Sequence, residues 1–165
     1  MSLREAKMDT DYHLRHFVPE DGEACWQLFQ DTIRRINTRD YEPEQIAAWL
    51  NASSSFELWL QRFEGKFAFV VEREGKLGGF ADMGLDGYLD RLFVSADHQR
   101  RGIATMLTLA IETKAMEVGL RRIYTHASLT ARPFFQSRGY QVTKKQSVDC
   151  KGVYLTNFVM EKRMN

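Results

Sequence analysis

Tyr88-Leu89-Asp90-Arg91-Leu92-Phe93-Val94, followed by Ser95-Ala96-Asp97-His98 and then Gln99-Arg100-Arg101-Gly102-Ile103-Ala104-Thr105, is the stretch on which the reading of this chain turns. The first seven residues read as a β-strand. Beyond the loop, apolar side chains recur at Ile103, Met106, Leu107, Ala110, Ile111 and Val118, the spacing of one buried helix face. A strand that feeds a short basic loop, with glycine at the helix start, aims successive backbone N–H groups at one spot. The first N–H groups of a helix lack an internal partner and lie at the positive end of its dipole, so they suit a phosphate. Gly102 has no Cβ and lets an anion come close to the main chain. Arg100 and Arg101 add charge that reaches further phosphates. The loop is too short for a P-loop, lacks its Lys-Ser/Thr ending, and lacks the three glycines of a dinucleotide fingerprint. It reads as a pyrophosphate cradle.

Outward from this unit, the N-terminal third is helical and rich in aromatics. Tyr12 to Val18 alternates like a first strand, and Pro19-Glu20-Asp21 opens a helix with acidic residues near its positive end. Cys25, Leu28, Phe29, Thr32, Ile33 and Ile36 fall on one face of it. Pro43 starts a second helix carrying Ile46, Ala47, Trp49 and Leu50, and Ser54-Ser55-Phe56-Glu57 reads as a capping box before a third. The period then changes. Phe67–Val71 and Lys76–Ala81 flank Glu74-Gly75, a hairpin turn. Helix 102–118 stops at Gly119, Ile123–Ala127 is a strand, and a short helix from Ala131 ends at Gly139. A last hairpin turns around Asp149-Cys150-Lys151-Gly152. A strand–helix–strand unit between antiparallel hairpins predicts a mixed α/β fold, with a mixed sheet and helices on both faces.

Composition narrows the class. The 165 residues, 44% hydrophobic, fit one domain spanning 1–165, with residues 1–10 read as a flexible lead-in. Twenty-three basic against 22 acidic side chains argue against a global nucleic-acid footprint. No run approaches a membrane span, and Met1-Ser2-Leu3-Arg4-Glu5 lacks a signal-peptide core. Cys25 and Cys150 have no metal spacing, so a reduced, cytoplasmic protein without a metal is expected. Neither cysteine is expected near a site.

Leu92-Phe93-Val94-Ser95-Ala96-Asp97-His98-Gln99-Arg100-Arg101-Gly102-Ile103-Ala104 resembles motif A of the GNAT N-acetyltransferases, an apolar strand ending in Val and then Arg/Gln-x-x-Gly-x-Gly/Ala. A second family signature is matched in part by Ser128-Leu129-Thr130-Ala131-Arg132-Pro133-Phe134-Phe135-Gln136-Ser137-Arg138-Gly139-Tyr140. The resemblance is strong from Phe67 to Tyr140, and the tail from Gly152 to Lys162 resembles that of a bacterial subgroup. It implies the GNAT fold, a mostly antiparallel sheet of about seven strands whose fourth and fifth splay apart, and acetyl-CoA as cosubstrate. The pantetheine arm would enter the gap between those strands. Gln99, Arg100, Arg101, Gly102, Ile103, Ala104 and Thr105 would hold the pyrophosphate. Leu92, Phe93 and Val94 would hold pantetheine through the main chain, and Ser128, Phe134 and Phe135 would border the arm near the thioester. An amine acceptor, a small molecule or a peptide, would attack directly in a ternary complex without an acyl-enzyme. The protein would act as a monomer or homodimer.

Acetyl transfer from a thioester to an amine asks for a neutral nucleophile, a donor for the carbonyl oxygen and, at need, a proton for the thiolate. A freed N–H at Val94 is the expected donor. Asp90 and Tyr88 share parity with Leu92 and Val94 unless a bulge intervenes, and a carboxylate there would take the amine's proton. Asp90 would equally serve as a charge paired with Arg91 or Arg15. His126, of a residue type that changes charge near neutrality, shares parity with Tyr124 and Ser128. Asp82 and Asp86 near Asp90 hint at an acidic patch for a cationic acceptor, and Asn157 and Thr156 are candidates for the acceptor pocket. Phe29, Trp49, Phe56, Trp59 and Phe63 read as core, and Arg34, Arg35 and Arg39 as a charged helix face. Against the family pattern, Phe135 stands in the slot of an acid tyrosine and Ser128 in that of an asparagine. Solvent protonation of the thiolate, a substitute tyrosine (Tyr154 or Tyr124) and loss of catalysis are the three explanations. The rival functions are a non-catalytic CoA-binding or sensing module and an unrelated nucleotide binder.

Overall fold

The structure, a computed structural model, describes residues 11–52 and 55–165; the reading of 1–10 as flexible lies outside the described residues. Among the described residues, seven strands form one sheet in the order β1-β2-β3-β4-β5-β7-β6. They are β1 His13–His16, β2 Phe67–Arg73, β3 Lys76–Met83, β4 Tyr88–Val94, β5 Arg122–Ser128, β6 Gln141–Cys150 and β7 Val153–Arg163. Every neighbouring pair is antiparallel except β4 and β5. Two hairpin turns follow directly from sequence: Glu74 and Gly75 have φ of 54° and 77°, Lys151 and Gly152 have 52° and 91°. Positive φ at both central residues matches the right-handed strand twist, and glycine in the second position removes half the steric cost.

Helices cover both faces. On one lie α1 Gly22–Arg35, α2 Pro43–Ala52 and α3 Phe56–Gln61; on the other lie α4 Ile103–Glu117 and α5 Arg132–Ser137. The expected stripe of α1 is buried in full, from Cys25 to Ile36. With Trp59, Phe63 and Phe80 it makes an aromatic core in which Phe29 meets Trp59 and Phe93 at ring-centroid distances of 5.2 and 4.9 Å. Such edge and tilted contacts add about 0.5–1.5 kcal/mol per pair to burial. Trp49 and Phe56 are only partly buried. In α4 the buried row is Ile103, Leu107, Ile111 and Ala115; Met106 and Ala110 are partly covered, and Val118 is exposed beyond the helix end. The cap of α3 is Ser55, whose Oγ accepts the Leu58 N–H at 3.3 Å; the expected box on Ser54 lies outside the described residues.

Three features of β4 and its neighbours position the site. Pairing with β5 is limited to Tyr88 with Tyr124 and Leu89 with Thr125, reinforced by the Thr125 hydroxyl donating to Leu89 O at 2.8 Å. Past that point the strands part. A bulge opposite Asp82 and Met83 leaves Asp90 as the extra residue between Leu89 and Arg91. It flips the side-chain alternation, so Leu89 and Leu92 both join the α4 core while Arg91 and Phe93 face the α1–α3 aromatics. The parity expected to run unbroken from Tyr88 to Val94 is therefore interrupted at Asp90. Finally, Gly78 and Gly79 on β3 lie beneath the first turn of α4. A Cβ on Gly79 would come within 2.8 Å of both Ile103 Cγ2 and the carbonyl oxygen of Phe93. Paired glycines let the helix start sit against the sheet.

Candidate active site

A cleft of about 1000 Å³ runs through the gap between β4 and β5. Its floor is Leu92, Phe93 and Val94, one end is the β4–α4 loop with the C-terminal half of α1 packed against it, and the 3₁₀ turn Asn37–Arg39 and α2 add further wall. Of the residues expected to hold cofactor, Leu92, Phe93, Val94, Gln99, Arg100, Gly102, Ile103, Ala104, Thr105, Ser128, Phe134 and Phe135 all line it; Arg101 is not on its wall.

The backbone of the loop follows an unusual path. Arg100 has φ of 62° and Gly102, the N-cap of α4, has φ of 85°. Left-handed residues interspersed among ordinary ones turn successive amides toward one concavity. The first intrahelical bond at this end runs from Met106 N–H to Gly102 O at 3.0 Å, and a glycine cap supplies no side chain to Ile103, Ala104 or Thr105. Those three amides are the helix's unmatched donors. The Gln99 side chain is engaged elsewhere, since its Nε2 donates to Val94 O at 2.9 Å and Ser95 O at 3.1 Å, bracing the loop on the end of β4.

The strand edge is equally determined. Ser95 N–H donates to Gly78 O at 2.8 Å, so the alternation of an antiparallel ladder turns the main-chain groups of Leu92 and Val94 away from β3. Val94 O is taken by Thr32 Oγ1 at 3.0 Å and by Gln99. No β5 residue pairs with Leu92, Phe93 or Val94.

The groups expected to carry proton chemistry are placed very differently from one another. Asp90 pairs with neither Arg91 nor Arg15. Arg62 Nη2 donates to its two oxygens at 2.8 and 2.9 Å, and Lys66 Nζ donates to Oδ2 at 2.7 Å. Burial pushes this carboxyl up, but the Lys66 hydrogen bond and the Arg62 charge outweigh it and hold it below the usual range. An acid so stabilised as the anion is a poor proton acceptor. Tyr88 stacks on Tyr124 and meets His126 at a tilt, with centroids 5.0 and 5.1 Å away. Burial, then the Asp90 charge, pushes its phenol up to about 12. An ordinary thiol titrates near 8.5, so proton transfer from this phenol to a thiolate runs uphill. His126 is exposed on the cleft wall.

Tyr154 does not reach the cleft; it is 60% exposed on the outer part of β7. Tyr124 is bound to Asp86 Oδ2 at 2.7 Å and is not on the wall either. Phe135 touches the cleft but is 2% exposed, its ring held between Phe134 and Tyr140. Ser128 Oγ accepts the Ala131 N–H at 3.0 Å, within the turn that leads into α5. Cys150, expected away from any site, lines the cleft beside Val148; burial raises its thiol, which disfavours the thiolate a nucleophile needs. Asn157, opposite Ser128 in the β5–β7 ladder, also lines it, and its buried Oδ1 has no hydrogen-bond partner among the described residues. Sequence reasoning missed Tyr41, whose buried hydroxyl donates to Thr156 O at 2.7 Å and accepts from Leu129 N–H at 2.9 Å. It also missed Thr32 and the Arg62–Lys66 pair. These side chains come from segments remote in sequence, and no motif signals them.

A mixed sheet opened between its parallel strands, with a glycine-capped helix start at the end of the opening, is the architecture of an acetyltransferase fold, and the acetyltransferase (GNAT) domain model matches residues 37–162. The chain belongs to the GNAT acetyltransferase family. It is 30% identical over 147 residues to the uncharacterized N-acetyltransferase YafP of Escherichia coli K12, covering 89% of this chain and 93% of that one. It is also similar to a GCN5-related N-acetyltransferase from Rhodopseudomonas palustris, with TM-score 0.89 and 30% identity over 94% of this chain and 97% of the other. At 19% identity, the PaiA N-acetyltransferase of Thermoplasma acidophilum, solved with coenzyme A, shares the fold with TM-score 0.73 over 92% and 98% of the two chains. Among the described residues no helix is long and apolar enough to cross a membrane, and no group of His, Cys, Asp and Glu could hold a metal.

Proposed function

We propose that this protein is an N-acetyltransferase that takes acetyl-CoA as cosubstrate and passes the acetyl group to an amine by direct attack. The observation that carries this reading is the continuity of two sets of main-chain donors in one cleft: the amides of Ile103, Ala104 and Thr105, and the unpaired edge of β4 from Leu92 to Val94. Two such donor sets in one cleft suit a pyrophosphate joined to an extended amide-containing arm, and Arg100 adds charge at the phosphate end. Acetyl-CoA supplies the activated acyl thioester. The Val94 N–H polarises the carbonyl oxygen and stabilises charge that develops on it, a contribution of about 3–4 kcal/mol for one well-placed donor. His126 accepts the amine's proton, since Asp90 is held as an anion by Arg62 and Lys66. Asn157 Oδ1 receives an N–H of the amine and orients its lone pair. Solvent protonates the departing thiolate, whose low basicity demands no acid.

Phe135, which carries no hydroxyl in the slot of the family's acid tyrosine and is 2% exposed, favours the rival reading of a CoA-binding or sensing module without catalysis. Calorimetry with acetyl-CoA, CoA and ATP, followed by thiol release with a panel of amines, separates the readings. Binding of acetyl-CoA with amine-dependent thiol release is expected. Preference for ATP would reject the family's cosubstrate here, and tight CoA binding without turnover across the panel would favour the sensing module.

A further inference from the structure

The charges on the cleft wall outside the cradle point to the chemistry of the acceptor, an inference that rests on the acetyltransferase reading above. Asp82, Asp86 and Asp90 do not form an acidic patch, because each carboxylate is consumed within the protein. Asp82 is fully buried against the Arg91 guanidinium, with Arg91 Nε donating to it at 3.1 Å and Lys66 Nζ 3.8 Å away. Asp86 accepts from Tyr124 Oη at 2.7 Å and from the Tyr88 N–H at 3.0 Å. Asp90 is bound by Arg62 and Lys66. Arg62, Lys66 and Arg91 thus oppose Asp82 and Asp90, which leaves a cation in surplus.

Two guanidiniums on the cleft wall have capacity to spare. Arg62 uses only Nη2 on Asp90, and its Nε and Nη1 make no hydrogen bond among the described residues. Arg39, exposed on the 3₁₀ turn after α1, lines the same cleft and makes no ion pair or hydrogen bond through its side chain among the described residues. Asp90 is the one acidic side chain on the cleft wall among the described residues. A concave site with this balance carries a positive potential, which disfavours a polyamine and attracts an anion. The planar fork of guanidinium matches a carboxylate.

We propose that the acceptor is an amine that also carries a carboxylate, held by Arg39 and the unused edge of Arg62 while its nitrogen faces Asn157. The amine nitrogen gains the acetyl carbon, the C–S bond breaks, the sulfur leaves as thiolate, and the nitrogen's proton passes to His126.

The test uses the full chain. Calorimetry first measures CoA affinity. Thiol release from acetyl-CoA is then followed with free amino acids, the same set as carboxamides, dipeptides with an acidic residue, and spermidine. We expect an amino acid or acidic dipeptide to exceed its uncharged counterpart at least about 30-fold in kcat/KM, about 2 kcal/mol and within the range of a charge-assisted contact. The two arms separate an α-carboxylate from a side-chain one. Arg39→Glu and Arg62→Gln should each lower that kcat/KM at least about tenfold, with the KM for acetyl-CoA within about twofold of wild type. Arg39 has no side-chain partner to lose among the described residues, so its variant should fold. Equal or better turnover of spermidine or the carboxamides, no turnover of any carboxylated amine, or an unchanged preference in Arg39→Glu would overturn the inference while leaving CoA binding intact. Failure to bind CoA would overturn the acetyltransferase reading first.

Discussion

Arg62 closes both oxygens of Asp90 with a single nitrogen, Nη2, at 2.8 and 2.9 Å. The relationship makes a fixed counter-charge of the one carboxylate on the cleft wall among the described residues. Because the folded carboxyl lies below its ordinary value near 3.9, its stabilising contribution is complete above that value and is lost as pH falls through the lower folded one. Asp90→Asn should therefore cost about 1–3 kcal/mol at pH 7 in urea unfolding, and the gap to wild type should narrow as pH falls below the ordinary carboxyl range. The acidic limb of the kcat/KM profile should survive in the variant. Its disappearance would restore Asp90 as the base.

His126→Ala should do what Asp90→Asn does not. Removal of a general base costs on the order of 10²- to 10⁴-fold in rate, and the acidic limb should vanish while acetyl-CoA still binds. An unaltered pH profile would exclude the imidazole from proton transfer.

The cradle depends on backbone shape. Gly102→Glu places a side chain at φ of 85° and sets a negative charge beside the phosphates, so CoA affinity should fall at least about 100-fold, or about 2.7 kcal/mol. Arg100 already bears a left-handed conformation at φ of 62°, which costs a non-glycine residue about 1 kcal/mol. Arg100→Gly should raise unfolding stability by up to that amount and still weaken CoA binding through lost charge. A stabilised variant with full affinity would remove Arg100 from the site.

Gly79→Ala tests how the helix start is seated. The new methyl meets the Phe93 carbonyl at 2.8 Å, and main chain cannot step aside as a side chain can. We expect a loss of about 1–3 kcal/mol in thermal or urea unfolding together with weaker CoA binding, because α4 and β4 must both shift away from β3. Destabilisation without any change in affinity would show that the cradle is set by the loop alone.

Asn157 offers the opposite signature. Its Oδ1 is buried without a partner among the described residues, so Asn157→Ala should cost the resting protein little, within about 1 kcal/mol. The KM for the amine should rise about fivefold or more, as expected for one lost hydrogen bond, while the KM for acetyl-CoA stays constant. A KM unchanged for the amine would assign Asn157 to packing.

Local physics made much of this molecule legible in the chain. Glu74-Gly75 and Lys151-Gly152 dictate hairpins because only certain residues accept two positive φ angles in succession. The stripe from Cys25 to Ile36 dictates which face of α1 is buried, and Gly102 ahead of an apolar-periodic segment marks an uncapped helix start. Short-range geometry suffices for each of these. The roles of Asp90, Arg62, Lys66 and Arg39 were decided by tertiary structure. A one-residue bulge at Asp90 reverses the strand's alternation, and residues from separate segments then meet it across the sheet. A carboxylate is a base or a counter-ion according to the charges within a few ångströms of it, and those neighbours are set by how the helices pack.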